Sequence, residues 1–289
     1  MNNVQVCWVS YKLKVSGFEM TRIKTALITG AAGDIGANVA ERLHSLGYKL
    51  ILVDINESRL NDLSNQLSES VSLAIDLTDQ SQFKQLIARI KTEFGHIDLA
   101  FINAGAICVG NIIDLDDKKI DLQLDVNLRS AIHLIKACAT NMAQYSSGHI
   151  ISTVSMGGIV SLKGSATYSA TKFGLRGFLT GIRDELSPLG VKVTGIYPSG
   201  VDTQMLRYEA LNGGSALNFV SPPISVDKVG TAVIKAIKSK RLEIYLPYSE
   251  SLGGRLISCF PWMIRYLYPV LEWAGKRGLS RYMKTIGSS

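Results

Sequence analysis

From residue 25 onward the chain alternates short apolar runs with amphipathic segments. TALITG precedes ANVAERLHSLG, KLILVDI precedes ESRLNDLSNQL, and VSLAIDL precedes SQFKQLIARIKTEFG. The same alternation runs on through DLAFINAG, IDLQLDVNLRSAIHLIKACATNMAQ, GHIISTVS, YSATKFGLRGFLTGIRDELSPLG, VKVTGIYPSG and LEIYLP. Runs of one kind read as strands and of the other as helices, and their strict alternation predicts an α/β fold built on a parallel sheet with helices on both faces. About seven strands are expected in a single domain over residues 20–248, with no repeat or low-complexity block inside it.

The two ends depart from this pattern. Residues 1–19 carry neither a long apolar core nor a small-residue cleavage site, so they do not read as a secretory signal. Met20 stands just ahead of the first strand, and residues 1–19 read as an extension, disordered or upstream of the natural start. Residues 249–289 form a basic, amphipathic tail in which Leu256, Phe260, Met263, Ile264, Leu267 and Leu271 recur at helical spacing. Pro261 and Pro269 are expected to break it, and Arg265 and Glu272 interrupt its apolar run, which makes it a poor membrane span and a fair interfacial anchor. The alternative is packing over the substrate cleft or against a second subunit.

Composition sharpens the picture in three ways. With 289 residues, 46% of them hydrophobic, the chain can bury a substantial core. Its four cysteines (7, 108, 138, 259) and four histidines (44, 96, 133, 149) form no disulfide framework and no metal-ligand spacing, which fits reduced thiols and a cytoplasmic setting. The net charge of +7 lies at the ends: residues 1–24 contribute +3, residues 240–289 contribute +5, and the body between them is −1. That distribution argues against a nucleic-acid groove and points to an anionic surface, such as a membrane, as a contact of the termini.

Candidate chemistry begins at TGAAGDIG, where Gly30, Gly33 and Gly36 surround Asp34 and Ile35 at a strand-to-helix turn. Glycines there let backbone N–H groups approach a pyrophosphate at the positive end of a helix. Asp54 ends the second strand 18 residues past Gly36, where a carboxylate can accept from both hydroxyls of an adenosine ribose. A carboxylate would repel a 2′-phosphate, and no Arg or Lys stands in the turn or directly after Asp54, so NAD is expected over NADP. Further along, Tyr168 and Lys172 lie four apart, on one helix face, where an ammonium can lower a phenol's pKa toward neutrality. Ser155 precedes Tyr168 by 13 residues and is placed to bond the same substrate oxygen.

Taken in order, these segments resemble the short-chain dehydrogenase/reductase family. TGAAGDIG, Asp54, Asp76-Leu77, Asn103-Ala104-Gly105, Asn127 in DVNL, Ser155, Tyr168 with Lys172, and the run from Pro198 through Gly200, Val201 and Thr203 carry the likeness over residues 24–248. The resemblance implies a Rossmann-type, doubly wound sheet and hydride transfer between a nicotinamide and an alcohol or carbonyl. It makes Tyr168 the general acid/base, Ser155 the group orienting the substrate oxygen, Lys172 the ribose ligand and Asn127 the holder of a relay water. Asp76 and Leu77 would meet the adenine, Asn103 to Gly105 the adenosine ribose, and Ile196 to Thr203, with Pro198, Gly200, Val201 and Thr203, the carboxamide. It also implies a homodimer or homotetramer.

The glycine spacing TGxxGxxG is that of the family's longer branch, whereas the Ser-Tyr-Lys set and chain length are those of the shorter branch, to which the chain is assigned. A sugar-nucleotide epimerase or dehydratase is the rival enzyme, and a non-catalytic NAD-sensing scaffold the rival outside catalysis. Residues 203–221 read as a substrate lid, in which Met205, Leu206, Tyr208, Leu211, Leu217, Phe219 and Val220 set an apolar bias and Gly213-Gly214 adds freedom. An apolar lid beside an amphipathic tail favours a hydrophobic small-molecule substrate of steroid, retinoid or fatty-acyl type.

Overall fold

A computed structural model describes residues 22–239 and 241–287. The expected extension at residues 1–19 lies outside the described residues. Strands β1 (Thr25–Thr29), β2 (Lys49–Asp54), β3 (Ser70–Ala74), β4 (Leu99–Ile102), β5 (Gly148–Thr153), β6 (Val191–Pro198) and β7 (Glu243–Leu246) form one parallel sheet in the order β3-β2-β1-β4-β5-β6-β7. Between them run α1 (Asp34–Ser45), α2 (Glu57–Gln66), α3 (Gln80–Thr92), α4 (Asp117–Leu124), α5 (Ser130–Gln144), α6 (Ala166–Leu186), α7 (Gln204–Leu211) and α8 (Val226–Ile237). The doubly wound α/β architecture expected from the alternating pattern is what the chain adopts.

Successive strand side chains point to opposite faces, so the sheet has two cores. Leu27 of β1 joins α3, α5 and α6 through Leu86, Leu134 and Leu175. Its neighbours Ala26 and Ile28 join α1, α2 and α8 through Val39, Leu60 and Val233. Strand order reverses between β1 and β4, and a crevice opens there beyond the carboxyl ends of the strands. A π-helical turn at Asp125–Arg129, between α4 and α5, places Asn127 under that crevice.

Beyond β7 the tail forms α9 (Tyr248–Cys259) and α10 (Ile264–Gly287), joined through a 3-10 turn at Pro261–Met263. Pro261 does interrupt the tail, but α10 runs on through Pro269, contrary to the expectation of a break there. Proline at this position removes one helical N–H bond, to the carbonyl four residues earlier, and tertiary packing of the later turns holds the helix together. Gly275 and Gly278 face the lid so closely that side chains there would overlap the carbonyls of Ala216 and Phe219. Tyr282 packs against Phe219 with ring centroids 5.3 Å apart and donates to Asp202 Oδ1 at 2.7 Å. The far half of the tail therefore packs on the segment 203–221. The near half and α9 leave Leu256, Phe260, Trp262, Tyr266, Val270 and Trp273 exposed. No helix among the described residues is long and apolar enough to cross a membrane.

Candidate active site

The crevice is a cleft of about 340 Å³. Its floor is the turn after β1. Gly30 has φ +63°, a conformation that favours glycine, and a Cβ there would lie 2.9 Å from Ala104 Cα. A Cβ at Gly36 would overlap the Gly30 carbonyl, whereas one at Gly33 would stand 3.3 Å from that oxygen. Gly33 is the N-cap of α1, and no side chain caps the first-turn N–H groups of that helix. Uncapped donors at a positive helix end, facing a cleft, are what a pyrophosphate requires.

Asp34 does not oppose that site with a free charge. Its carboxylate turns sideways, taking the Gln204 N–H at 2.8 Å on one oxygen and Arg59 Nη2 at 3.4 Å on the other. Asp54 lies on the cleft wall, anchored by the N–H groups of Ala32 and Asn56, each at 2.9 Å. Thr29 Oγ1 accepts from the N–H groups of Asn103 at 3.0 Å and Ala104 at 3.1 Å, fixing the β4 turn against the β1 turn. Ile35, Gly105, Pro198, Gly200, Val201 and Thr203 complete this part of the wall. Asp76 and Leu77 are not on it: Asp76 bonds Thr78, and Leu77 lines a separate cavity between α3 and α5.

At the inner end Ser155, Tyr168 and Lys172 come together. A methyl group at Gly157 would stand 3.2 Å from the Tyr168 ring and 3.4 Å from Ser155 Oγ, so the two side chains flank one small volume. Lys172 is 3% exposed, donates from Nζ to the Thr153 carbonyl at 2.9 Å, and sits 5.6 Å from the Tyr168 ring centroid. Burial pushes its ammonium down to about 8. Asn127 lies behind the cleft, accepting from the Ala106 N–H at 2.7 Å and donating to the Ala106 carbonyl at 2.8 Å. Its Oδ1 would stand 3.4 Å, and Lys172 Nζ 4.0 Å, from a Cβ at Gly105, so the Asn103 to Gly105 turn lies against both side chains.

Electrostatics at Tyr168 differ from the simple Tyr–Lys expectation. Burial and the carboxylate of Glu209 push the phenol above its ordinary value, and Ser155 pulls it back. The desolvated lysine does not outweigh these. Glu209, on α7, was not singled out by the sequence reading, nor were Arg59, Thr153, Gln204 and Asn218, all of which line the cleft. Thr153 ends β5 and so shares the strand-end edge; the others come from α2 and from residues 203–221, whose lie over that edge no chain pattern signals.

Residues 24–212 match the short chain dehydrogenase family model. An uncharacterized oxidoreductase of Staphylococcus epidermidis is 35% identical over 183 residues, covering 63% of this chain and 80% of its own. Among solved structures, a bulky-bulky ketone specific alcohol dehydrogenase from Comamonas testosteroni matches with TM-score 0.72 and 25% identity, over 85% of this chain and 95% of that one. A short-chain dehydrogenase from Sphingobium yanoikuyae, solved with NADPH, also matches with TM-score 0.72 and 25% identity, over 83% and 96%. The family's reactions use nicotinamide cofactors, and the glycine turn with its uncapped helix end suits one. This chain belongs to the short-chain dehydrogenase/reductase family of oxidoreductases.

Proposed function

We propose that the protein interconverts an alcohol and a ketone or aldehyde by hydride transfer, with NAD as the preferred cofactor. The observation that carries this reading is the approach of Ser155, Tyr168 and Lys172 at the inner end of a cleft whose outer part is the glycine turn. Gly30 to Gly36 would hold the pyrophosphate, Asp54 the adenosine ribose, Lys172 the nicotinamide ribose, and Pro198 to Thr203 the carboxamide. Bound there, the oxidised nicotinamide supplies a hydride acceptor and a positive charge that favours phenolate. In oxidation Tyr168 Oη takes the alcohol proton, Ser155 Oγ orients the alcohol oxygen, and Lys172 with Asn127 passes the proton onward. In reduction Tyr168 returns it.

Leu162, Met205 and Leu206 on the cleft wall support a bulky, mainly apolar substrate, as does the bulky-ketone specificity of the Comamonas relative. Asp54 supports NAD, while Arg59 beside it is occupied by Asp34 and Gln204. A panel of alcohols with NAD and NADP, read by absorbance of the reduced cofactor, tests both points. Tyr168→Phe is expected to abolish turnover and leave NADH binding nearly intact; retained turnover overturns the assignment.

The exposed aromatic and aliphatic face of α9 and early α10, with Arg265, Lys276 and Arg277 nearby, supports contact with an anionic membrane surface. Flotation with anionic liposomes, before and after Trp262→Ser with Trp273→Ser, tests it. Self-association is proposed through α6, where Phe173 is exposed and Gly177 and Gly181 have open space before them, and sedimentation measures it.

A further inference from the structure

One acidic side chain in the cleft is not among the groups that the hydride-transfer reading uses. Glu209 is 6% exposed yet lines the same cleft as Ser155 and Tyr168. Its Oε2 accepts from Asn218 Nδ2 at 2.9 Å; among the described residues, no hydrogen bond reaches Oε1 and no cation pairs with the carboxylate. Its backbone is held, since the Gly214 N–H donates to its main-chain carbonyl at 2.8 Å and a side chain at Gly214 would press on its Cβ at 2.7 Å, and Asn218 holds the carboxylate end. Asn218 is fixed in turn, its N–H bonded to Ser215 and its carbonyl 2.5 Å from where a Cβ at Gly200 would stand. The carboxyl is thus aimed, not loose.

A carboxyl held among apolar side chains such as Leu162, Met205 and Leu206 is costly unless something donates to it. Water at an open cleft can do so, but a substrate that closes the cleft must replace that water with its own donor. Glu209 and Tyr168 line the one cleft, where burial pushes the Glu209 carboxyl up to about 7 against the pull of Asn218. We propose that Glu209 determines specificity by accepting a hydrogen bond from a second polar group on the substrate, a hydroxyl or a protonated amine near the reacting carbon. The substrate class is then a diol, hydroxy ketone or amino alcohol on an apolar skeleton, not a monohydric alcohol. This inference rests on the hydride-transfer reading of the same site.

The test compares cyclohexanol, cyclohexane-1,2-diol, cyclohexane-1,3-diol and the two matching amino alcohols on the full chain, by kcat/KM with NAD and by calorimetric dissociation constants with NADH, where no oxidation occurs. A polar partner left unbonded costs about 10- to 100-fold in affinity, so at least one donor-bearing probe should exceed cyclohexanol by that factor. Glu209→Leu should bring the ratio to near one. Glu209→Gln, which keeps the shape and the Asn218 contact, should cost the amine probes more than the diols. Thermal unfolding of each variant confirms that it is folded. No preference in the wild type, or a preference that survives in both variants, overturns the proposal. Glu209-dependent binding with no turnover of any probe would instead count against hydride transfer, and equal turnover of cyclohexanol and every diol and amine would count against Glu209 alone.

Discussion

The carboxylate of Asp34, in the first turn of α1, accepts the backbone N–H of Gln204, the first residue of α7, at 2.8 Å across 170 residues of chain. One acidic side chain thereby serves the positive ends of two helices, that of the glycine turn and that of the lid. Arg59 closes the arrangement by meeting Asp34 at 3.4 Å and Gln204 Oε1 at 3.1 Å. An acidic residue in this glycine turn is therefore intelligible: it ties the start of α7 to the start of α1, and its charge is answered by Arg59 and by backbone dipoles.

Asp34→Ala removes one charge-assisted bond to a helix N-terminus and should cost about 1 kcal/mol of stability. The larger effect is expected in function, as a several-fold rise in KM for the substrate from a less firmly seated lid. Thermal unfolding and steady-state kinetics measure the two; a KM within error of the wild type would show that Gln204 needs no latch.

The fold was legible because two periodicities alternate along the chain, and each helix and strand of the sheet needs only its own residues to be recognised. The strand-end residues Asp54, Asn103 to Gly105, Ser155 and Pro198 to Thr203 were legible for the same reason: a parallel sheet brings all its carboxyl ends to one edge. Arg59, Glu209 and Asn218 were not, because their positions depend on how α2 and the lid lie over that edge. Asp76 and Leu77 follow a strand end too, yet β3 is an edge strand and its turn folds toward α3, off the cleft wall. Sequence spacing likewise carries no measure of the burial that raises the Tyr168 phenol and lowers the Lys172 ammonium.

The three glycines of the turn should not be equivalent. At Gly36 a methyl group would overlap the Gly30 carbonyl, and backbone cannot yield cheaply, so Gly36→Ala is expected to cost about 1–3 kcal/mol and to abolish cofactor binding. At Gly33 the same methyl would stand 3.3 Å from that carbonyl, a contact that a shift of a few tenths of an ångström relieves. Gly33→Ala should retain most of the stability. Chemical denaturation of the two variants, with NADH titrated by fluorescence, measures the difference.

Stability should carry the signature of Glu209. The carboxyl is raised from 4.5 to about 7 by burial. Below pH 4.5 it is neutral in folded and unfolded chains alike. As pH rises from there to 7 the unfolded chain releases the proton first, so stability falls, and above 7 the loss is complete at about 3 kcal/mol. Glu209→Gln should therefore be more stable than the wild type at pH 8 and nearly equal to it at pH 5. Because the carboxylate also raises Tyr168, the same substitution should move the rising limb of alcohol oxidation to lower pH. Melting curves at the two pH values and a kcat/KM profile check the pair of effects.

Lys172 makes the opposite prediction with pH. Burial lowers its ammonium from 10.5 to about 8, so below pH 8 the folded chain bears the full penalty of a buried charge. Between 8 and 10.5 the folded lysine is neutral while the unfolded one is still charged, and stability recovers. Lys172→Met should gain on the order of 1–3 kcal/mol at pH 7, less at pH 9.5, while losing turnover. A variant less stable than the wild type at pH 7 would show that the bond to the Thr153 carbonyl outweighs desolvation.

The proposed lid, residues 203–221, is held on its other side by α10, and the contact depends on glycine. A side chain at Gly278 would overlap the Phe219 carbonyl, so Gly278→Leu must push α10 off the lid and expose Leu206, Phe219 and Tyr282, the small core they share. Gly287, with nothing within 4 Å of its missing side chain, accepts the same leucine without a clash and serves as control. Asn218, which aims Glu209, is the neighbour of Phe219, so the disturbance reaches the substrate end of the cleft before the glycine turn. Gly278→Leu should raise substrate KM severalfold and leave the NADH dissociation constant nearly unchanged, with Gly287→Leu silent in both. An equal loss in both constants would mean that α10 supports the whole cleft and not the lid alone.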